Sequence, residues 1–482
     1  MAERVLPAYA DPGRLLRADQ LGPVHFVGIG GAGMSGIARI MLQLGIPVSG
    51  SDAKESQSTR DLQAAGARVR IGHSADALGD AQTVVVSSAI KPGNPELDAA
   101  LARGLLVLPR AQALAAVMAG RKPVAVAGTH GKTSTTSMLV AAVAACGGDP
   151  SYAIGGELLS TGRNAHLGSG PAFAVEADES DGSFLLFAPH IGIVTNVEAD
   201  HLDNYGDFAA VLGAFRDFVT TIDPAGALVV CADDQHAAGL CEVARDRGLR
   251  AVTYGLGEDA DLRLTDVRVG DAGTTYTATG LGLDALPVSV GAAGVHMALN
   301  SAAVLAACIV LGLDPRAAAD GLAAYTGVHR RMDFKGEAAG VRVYDDYAHH
   351  PTEVRAQLTA ARQVAGRGRL VVCFQPHLFS RTVAFAREFG AALSLADEVV
   401  LMDVYPARER AADFPGITGA SIAEHVTAPV RFLPDWAAAA PALAEAARAG
   451  DLVMTVGAGD VTDIGPLLLE ALAGERREDT DG

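Results

Sequence analysis

The chain has 482 residues, 49% apolar and 20% charged, with a formal net charge of -18. At roughly 150 residues per domain this length allows about three domains, and the acidity argues against generic nucleic-acid binding, which needs a basic surface. Anionic small ligands stay open to such a chain, because backbone N–H groups and a few placed cations hold phosphates locally, and aromatics at only 5% suit closely packed α/β layers better than an all-β sandwich.

Residues 1–21 read as a loose extension without the apolar core of a signal peptide. From Val24 strands and helices alternate: "VHFVGIG", a glycine-rich turn, a helix to about Leu44, "IPVSGSD", a helix near Thr59–Ala65, "RVRIG", then "TVVVSSAI". That rhythm predicts a parallel sheet with crossover helices over 22–119, closed by a linker at 118–123. A second unit, 120–328, opens on "VAVAGTHGKTSTTSMLVAAVAA" and ends in helical sequence from Gly294 to Tyr325, after a short antiparallel section near 251–290. A third, 329–475, has strand candidates at "VRVYDDY", "RLVVCF", "EVVLMDV" and "LVMTVG", and 476–482 reads as a flexible tail. The longest apolar run, Ser301 to Leu313, is too short to span a bilayer and predicts a buried helix. Cys146, Cys231, Cys241, Cys308 and Cys373 are scattered without C-x-x-C, which predicts buried thiols in a reducing, cytoplasmic setting, with no membrane insertion.

Two loops carry phosphate chemistry. "HFVGIGGAGMSGIA" holds G-x-G-x-x-G at Gly28, Gly30 and Gly33 after a strand, so it offers helix N-terminal N–H groups to a diphosphate. In "AGTHGKTST" a strand runs into Gly128, Thr129, His130 and Gly131. Lys132, Thr133 and Ser134 then open a helix, with the lysine in reach of β/γ-phosphates and the Thr133 hydroxyl able to ligate Mg²⁺. A strict Walker A would need glycine at 126, which is valine. Two acidic segments, "VEADESDGSF" and "TNVEADHLDNYG", each follow a strand and so belong on the same sheet edge. Glu176 is the first candidate for a metal held by ATP phosphates, with Asp178 and Glu179 as competitors, and His201 is a candidate for a second ion.

"GTHGKTSTT", "EADESDGSF", "NVEADHLD", "HRRMDF", "DDYAHHPTEV" and "FQPH…SRT" occur in this order, and the chain from about Gly22 to Asp463 resembles the Mur ligases of peptidoglycan synthesis. The resemblance implies an α/β fold of three domains: N-terminal Rossmann-like, central P-loop ATPase-like with a mixed sheet, and C-terminal Rossmann-like. It implies an ATP-dependent ligase, with ATP and Mg²⁺, that joins L-alanine to the lactyl carboxylate of UDP-N-acetylmuramate through an acyl phosphate and releases ADP and phosphate. Carried over by motif, Lys132 contacts phosphates, Thr133 and Glu176 hold magnesium, His201 holds the second ion, and Asn300 meets adenine. Arg331 and Asp346 bring the C-terminal domain onto the nucleotide, and His349, His350, His377 and Arg381 lie on the substrate side. Gly30, Gly31, Ala32, Gly33, Met34 and Ser35 would line the UDP diphosphate, with Asp52, Ser87 and Ser88 near the nucleoside or sugar end. The chain departs from the family's frequent pattern at Val295 and Met297 in "GVHMALN" and at Leu378 in "FQPHLFSRT". Three rivals remain. A related ligase recycles a ready-made tripeptide onto the same sugar nucleotide, with an acidic motif closer to E-G-D-E-Y-D. A nicotinamide-dependent oxidoreductase would leave the second phosphate loop without a role. The third is an ATP-driven switch without ligation.

Overall fold

The computed structural model describes residues 11, 13–87, 89–270 and 272–480. Among them the strands form three sheets, and the chain packs as two compact units. The first unit takes in the described residues to Asp266, with Tyr276–Ser289 and Leu299–Tyr325; the second takes in Val267–Thr275, Val290–Ala298 and Thr326 onward.

The first sheet is β1 (Val24–Val27), β2 (Val48–Asp52), β3 (Arg68–Ile71), β4 (Thr83–Val86) and β5 (Leu106–Pro109), in the order β3-β2-β1-β4-β5, with all pairs parallel. From β1 the chain builds outward on one side and then, from β4, on the other, so the strand order reverses between β1 and β4. Ligands in open parallel sheets bind at such a switch point, beyond the carboxyl ends of the strands. Sequence reading missed β5 and the helix Arg110–Met118 that follows it. Their alanine-rich pattern carries little amphipathic contrast because the helix is buried on most sides. The expected linker at 118–123 shrinks to three residues, since β6 already starts at Lys122. The supposedly loose extension is anchored where it is described: Leu21 is buried, and its carbonyl accepts from Thr83 Oγ1 at 2.6 Å.

The second sheet contains β6 (Lys122–Ala127), β7 (Ser151–Leu158), β8 (Arg163–His166), β9 (Ala172–Glu176), β10 (Ile191–Val194), β11 (Ala227–Cys231), β12 (Arg250–Gly255), β13 (Leu262–Gly270), β14 (Gly273–Gly280) and β15 (Leu283–Val290). Its order is β15-β14-β13-β12-β11-β10-β6-β9-β7-β8. β6 therefore lies between β9 and β10, parallel to both. This neighbourhood places the loop after β6 between the two acidic segments. The predicted short antiparallel section becomes long strands, with β14 turning back into β15 through Leu281 and Gly282, both at positive φ as a two-residue hairpin turn requires. The apolar run 301–313 lies in the helix Val295–Val310 up to Val310, with Ala302 to Cys308 fully buried, and no helix among the described residues is long and apolar enough to cross a membrane.

The third sheet joins β16 (Asp333–Ala338), β17 (Val341–Asp346), β18 (Leu370–Phe374), β19 (Glu398–Met402), β20 (Val430–Leu433) and β21 (Leu452–Val456) in the order β16-β17-β21-β18-β19-β20. Only the edge pair β16–β17 is antiparallel. β16 and β20 went unread because each is an edge strand with little buried apolar surface. The closing helix, Ile464–Thr480, extends through positions 476–480 of the expected tail. The cysteines are free, with Cys231, Cys308 and Cys373 buried as expected but Cys146 and Cys241 only partly so.

Candidate functional site

In the first unit the glycine loop after β1 is held by the end of β2. Ser51 O accepts from Gly28 N and Ile29 N at 2.8 and 2.9 Å, and Asp52 Oδ2 accepts from Gly30 N at 2.8 Å. Asp52 thus shapes the loop. Its other oxygen accepts from Lys54 N. The helix Ala32–Gln43 starts at Gly31 with no side-chain cap, which leaves its first N–H groups for an anion. Met34 and Ser35 are almost wholly buried in its first turn. A cavity of about 350 Å³ is lined by Gly28, Gly31, Gly33, Met34 and Ser87 on this side and by Glu176 and Asp178 on the other. Ser88 lies outside the described residues.

The loop after β6 is braced from β10. Gly128 adopts φ 129°, and a Cβ there would meet Thr195 Oγ1 at 2.0 Å, so only glycine fits. Thr129 N donates to Asn196 O at 3.1 Å, His130 N to Asn196 Oδ1 at 2.8 Å, and Glu198 N to Thr129 Oγ1 at 2.9 Å. Asn300 packs on the same loop, its Oδ1 2.8 Å from where a Cβ on Gly131 would stand. The helix Lys132–Ala145 begins without a side-chain cap; Thr133 is partly buried in its first turn and Ser134 is buried.

Lys132 points back into this loop. Its Nζ donates to Gly128 O at 2.8 Å, Thr129 O at 3.2 Å, and both Glu179 oxygens at 3.0 and 2.8 Å. Burial alone would lower the Lys132 pKa, but the carboxylates of Glu179, Asp178 and Glu176 hold it above its ordinary value. Glu179 is 1% exposed. Burial pushes its carboxyl up, against the pull of Lys132 and with Asp178 adding to the rise. His201, at φ 55°, brings Nε2 to 3.8 Å from Glu179 Oε1 and 3.7 Å from Asp200 Oδ2. Glu176 acts on Lys132 through its charge, while its Oε1 accepts from Gly155 N at 2.8 Å and it lines the cavity. Of the three acids weighed from sequence, the competitor Glu179 is the one that meets both Lys132 and His201. Glu179 and His201 bring a carboxylate and an imidazole within 3.8 Å of each other, donor types that suit a divalent cation.

In the second unit Asp346 is fully buried at the end of β17, accepting from Met332 N and Ala348 N at 2.8 Å each. Burial raises its carboxyl to about 7, opposed by Arg331. Arg331 lies over the Tyr347 ring at 5.3 Å. Its neighbour Arg330 ties the segment to the sheet, donating to Gly457 O at 2.6 Å and Gly459 O at 3.0 Å. His349 and His377 meet edge to face at 5.8 Å, and Arg381 Nη1 is 3.5 Å from His377 Nδ1. Burial, with Arg381 and Arg408, lowers His377 to about 4, so it is a neutral imidazole at pH 7. His350 is buried edge-on against Phe385. Met297 is buried and Val295 exposed, while Leu378 takes φ 72° and accepts from Thr382 Oγ1. Sequence reading gave no part to Thr195 and Asn196, which stand inside "TNVEADHLDNYG" and whose bracing of the phosphate loop shows only in three dimensions.

Three family models match in sequence: "Mur ligase family, catalytic domain" over 23–122, "Mur ligase middle domain" over 126–308, and "Mur ligase, glutamate ligase domain" over 330–459. The UDP-N-acetylmuramate–L-alanine ligase of Kineococcus radiotolerans is 56% identical over 94% of this chain and 97% of its own length. The protein of the same name from Saccharopolyspora erythraea is 53% identical over 98% of both. Among solved structures, UDP-N-acetylmuramate-alanine ligase MurC from Thermotoga maritima matches with TM-score 0.77 and 29% identity, covering 94% of this chain and 99% of that one. A murein peptide ligase from Psychrobacter arcticus matches with TM-score 0.69 and 25% identity, covering 94% and 99%.

Proposed function

Since the chain belongs to the Mur ligase family, we propose that it joins L-alanine to the lactyl carboxylate of UDP-N-acetylmuramate at the expense of ATP, in the cytoplasm, for peptidoglycan precursor synthesis. The observation that carries the reading is the 350 Å³ cavity: it begins at the glycine loop and ends at Glu176 and Asp178, in the segment whose Glu179 grips Lys132. A sugar nucleotide held by the glycine loop would direct its far end toward the phosphate loop.

A carboxylate resists amine attack until its oxygen is made a leaving group, and phosphorylation by ATP does this. Two anions must then meet. The N–H groups opening the helix Lys132–Ala145 and the Lys132 ammonium offset that repulsion. Thr133, Glu179 and His201 would hold magnesium, which supplies further charge neutralisation on the phosphates. Thr195 and Asn196 keep the loop in register, and no protein nucleophile is required. In the second unit we assign His349, His377 and Arg381 to the amino-acid side. His377, with its pKa near 4, orients the amine without keeping its proton. Curated L-alanine ligases at 56% and 53% identity, and the higher TM-score to the MurC structure (0.77) than to the murein peptide ligase (0.69), favour a single amino acid over a tripeptide.

The test is phosphate release from ATP and Mg²⁺ with UDP-N-acetylmuramate plus L-alanine, glycine, L-serine or a tripeptide. Release that requires both the sugar nucleotide and L-alanine is expected; release indifferent to the sugar nucleotide overturns the reading, and a preference for the tripeptide overturns its choice of amine.

A further inference from the structure

Arg110 follows directly on β5, at the carboxyl edge of the first sheet, level with the glycine loop and Ser87. Its side chain lies across the first turn of the helix Ala32–Gln43. A Cβ on Gly33 would stand 2.9 Å from Arg110 Nη1 and 3.1 Å from its Cδ. The third glycine of the fingerprint therefore makes room for a guanidinium. Arg110 also lines the 350 Å³ cavity, where it is the cation facing Glu176 and Asp178. It is only partly exposed, and among the described residues no hydrogen bond or ion pair engages its guanidinium. Lys132, by contrast, is fully occupied by Glu179 and two carbonyls. Arg110 helps hold the Asp178 carboxyl below its ordinary value across the cavity, but no hydrogen bond among the described residues uses the bidentate fork that a guanidinium offers to phosphate oxygens. It sits beside helix N-terminal N–H groups that, like the guanidinium, favour an anion.

We infer that Arg110 binds the diphosphate of the sugar nucleotide, bridging its oxygens from the side opposite the glycine loop. This rests on the function proposed above. The helix N-terminus gives direction, and Arg110 gives a full charge and two parallel donors. The Gly33 contact fixes the guanidinium over the N–H groups, which assigns it to the diphosphate in preference to the lactyl carboxylate at the far end.

Binding should be measured by calorimetry for wild type, Arg110→Lys and Arg110→Gln with UDP, UDP-N-acetylglucosamine, UDP-N-acetylmuramate and uridine, with thermal melts to verify folding. Arg110→Gln is expected to weaken all three diphosphates by about tenfold or more, since a charge-assisted bidentate pair is lost. Arg110→Lys should weaken them less, and uridine should be unaffected. Unchanged UDP affinity overturns the inference. A loss confined to UDP-N-acetylmuramate also overturns it, because that moves Arg110 to the lactyl carboxylate. If wild type itself ignores UDP-N-acetylmuramate, the proposed function fails first.

Discussion

Lys132 Nζ lies 2.8 Å from Glu179 Oε2 and 2.8 Å from the Gly128 carbonyl, so the phosphate-loop lysine is locked onto a buried acid three residues beyond Glu176. A cation taken up by Glu179 would free Lys132 for phosphate. Glu179→Gln is expected to lower kcat for phosphate release by about a hundredfold or more, the scale for losing one group that stabilises transferring charge, and to flatten its dependence on magnesium. Glu176→Gln, which leaves the Lys132 pair intact, should stay within about tenfold of wild type. The opposite ranking would return the metal-ligand role to Glu176.

Gly128→Ala introduces a Cβ 2.0 Å from Thr195 Oγ1 at a φ of 129°. The loop must shift, and strain of this kind costs about 1–3 kcal/mol. The expected result is a lower melting temperature and a raised KM for ATP, with UDP-N-acetylmuramate affinity unchanged. Adding Thr195→Ala should recover part of the stability by removing the overlap, while the backbone strain persists. A Gly128→Ala protein that melts and turns over like wild type would show that the loop is not held as described.

Much of this was legible beforehand, and the reasons are physical. Strand–loop–helix junctions with glycine and lysine at fixed spacing are local features, so Gly28–Gly33 and Gly128–Thr133 could be placed on sheet edges from sequence. Which acid pairs with Lys132 could not be read, because it depends on how the chain turns after β9: Glu176 ends the strand and accepts from Gly155 N, while Glu179 swings under the phosphate loop. The part Asp52 plays in the loop was hidden for a related reason: its Oδ2 accepts from Gly30 N across 22 residues of chain, which no local pattern shows. Arg110 was invisible because it belongs to no loop motif and meets Gly33 across 77 residues of chain.

Asp346 gives a pH signature. Its carboxyl is raised to about 7 in the folded chain by burial, against an ordinary value of 3.8. The folded state therefore binds more protons between these values, and stability from this group falls as pH rises from about 4 to about 7. Asp346→Asn removes that fall. Urea titrations of the unfolding transition that reports on the second unit should show a flatter profile across pH 4–7 in the variant. Parallel profiles for the two proteins would mean that Asp346 is ionised throughout and that Arg331 outweighs its burial.

The first sheet contains a buried charge network that sets the glycine loop from behind. Glu96 is fully buried, with Oε2 2.6 Å from Ser51 Oγ and 3.2 Å from His25 Nε2, and Oε1 accepting from Ser74 N at 3.0 Å. Ser51 is the residue whose carbonyl holds Gly28 and Ile29. Burial would raise the Glu96 carboxyl, but the hydrogen bonds from His25, Ser51 and Ser74 outweigh it and hold it below its ordinary value. A depressed carboxylate stabilises the fold above its unfolded pKa and loses that contribution as pH falls through the folded value. Glu96→Gln weakens the buried hydrogen bonds from Ser51 and Ser74 and mismatches the donors around it, a change that typically costs about 1–3 kcal/mol. The variant should unfold at lower denaturant, lose part of its acid sensitivity below pH 5 (roughly where carboxylates begin to protonate), and bind UDP more weakly because Ser51 is no longer fixed. Unchanged UDP affinity in a destabilised but folded variant would confine Glu96 to the core and break its link to the loop.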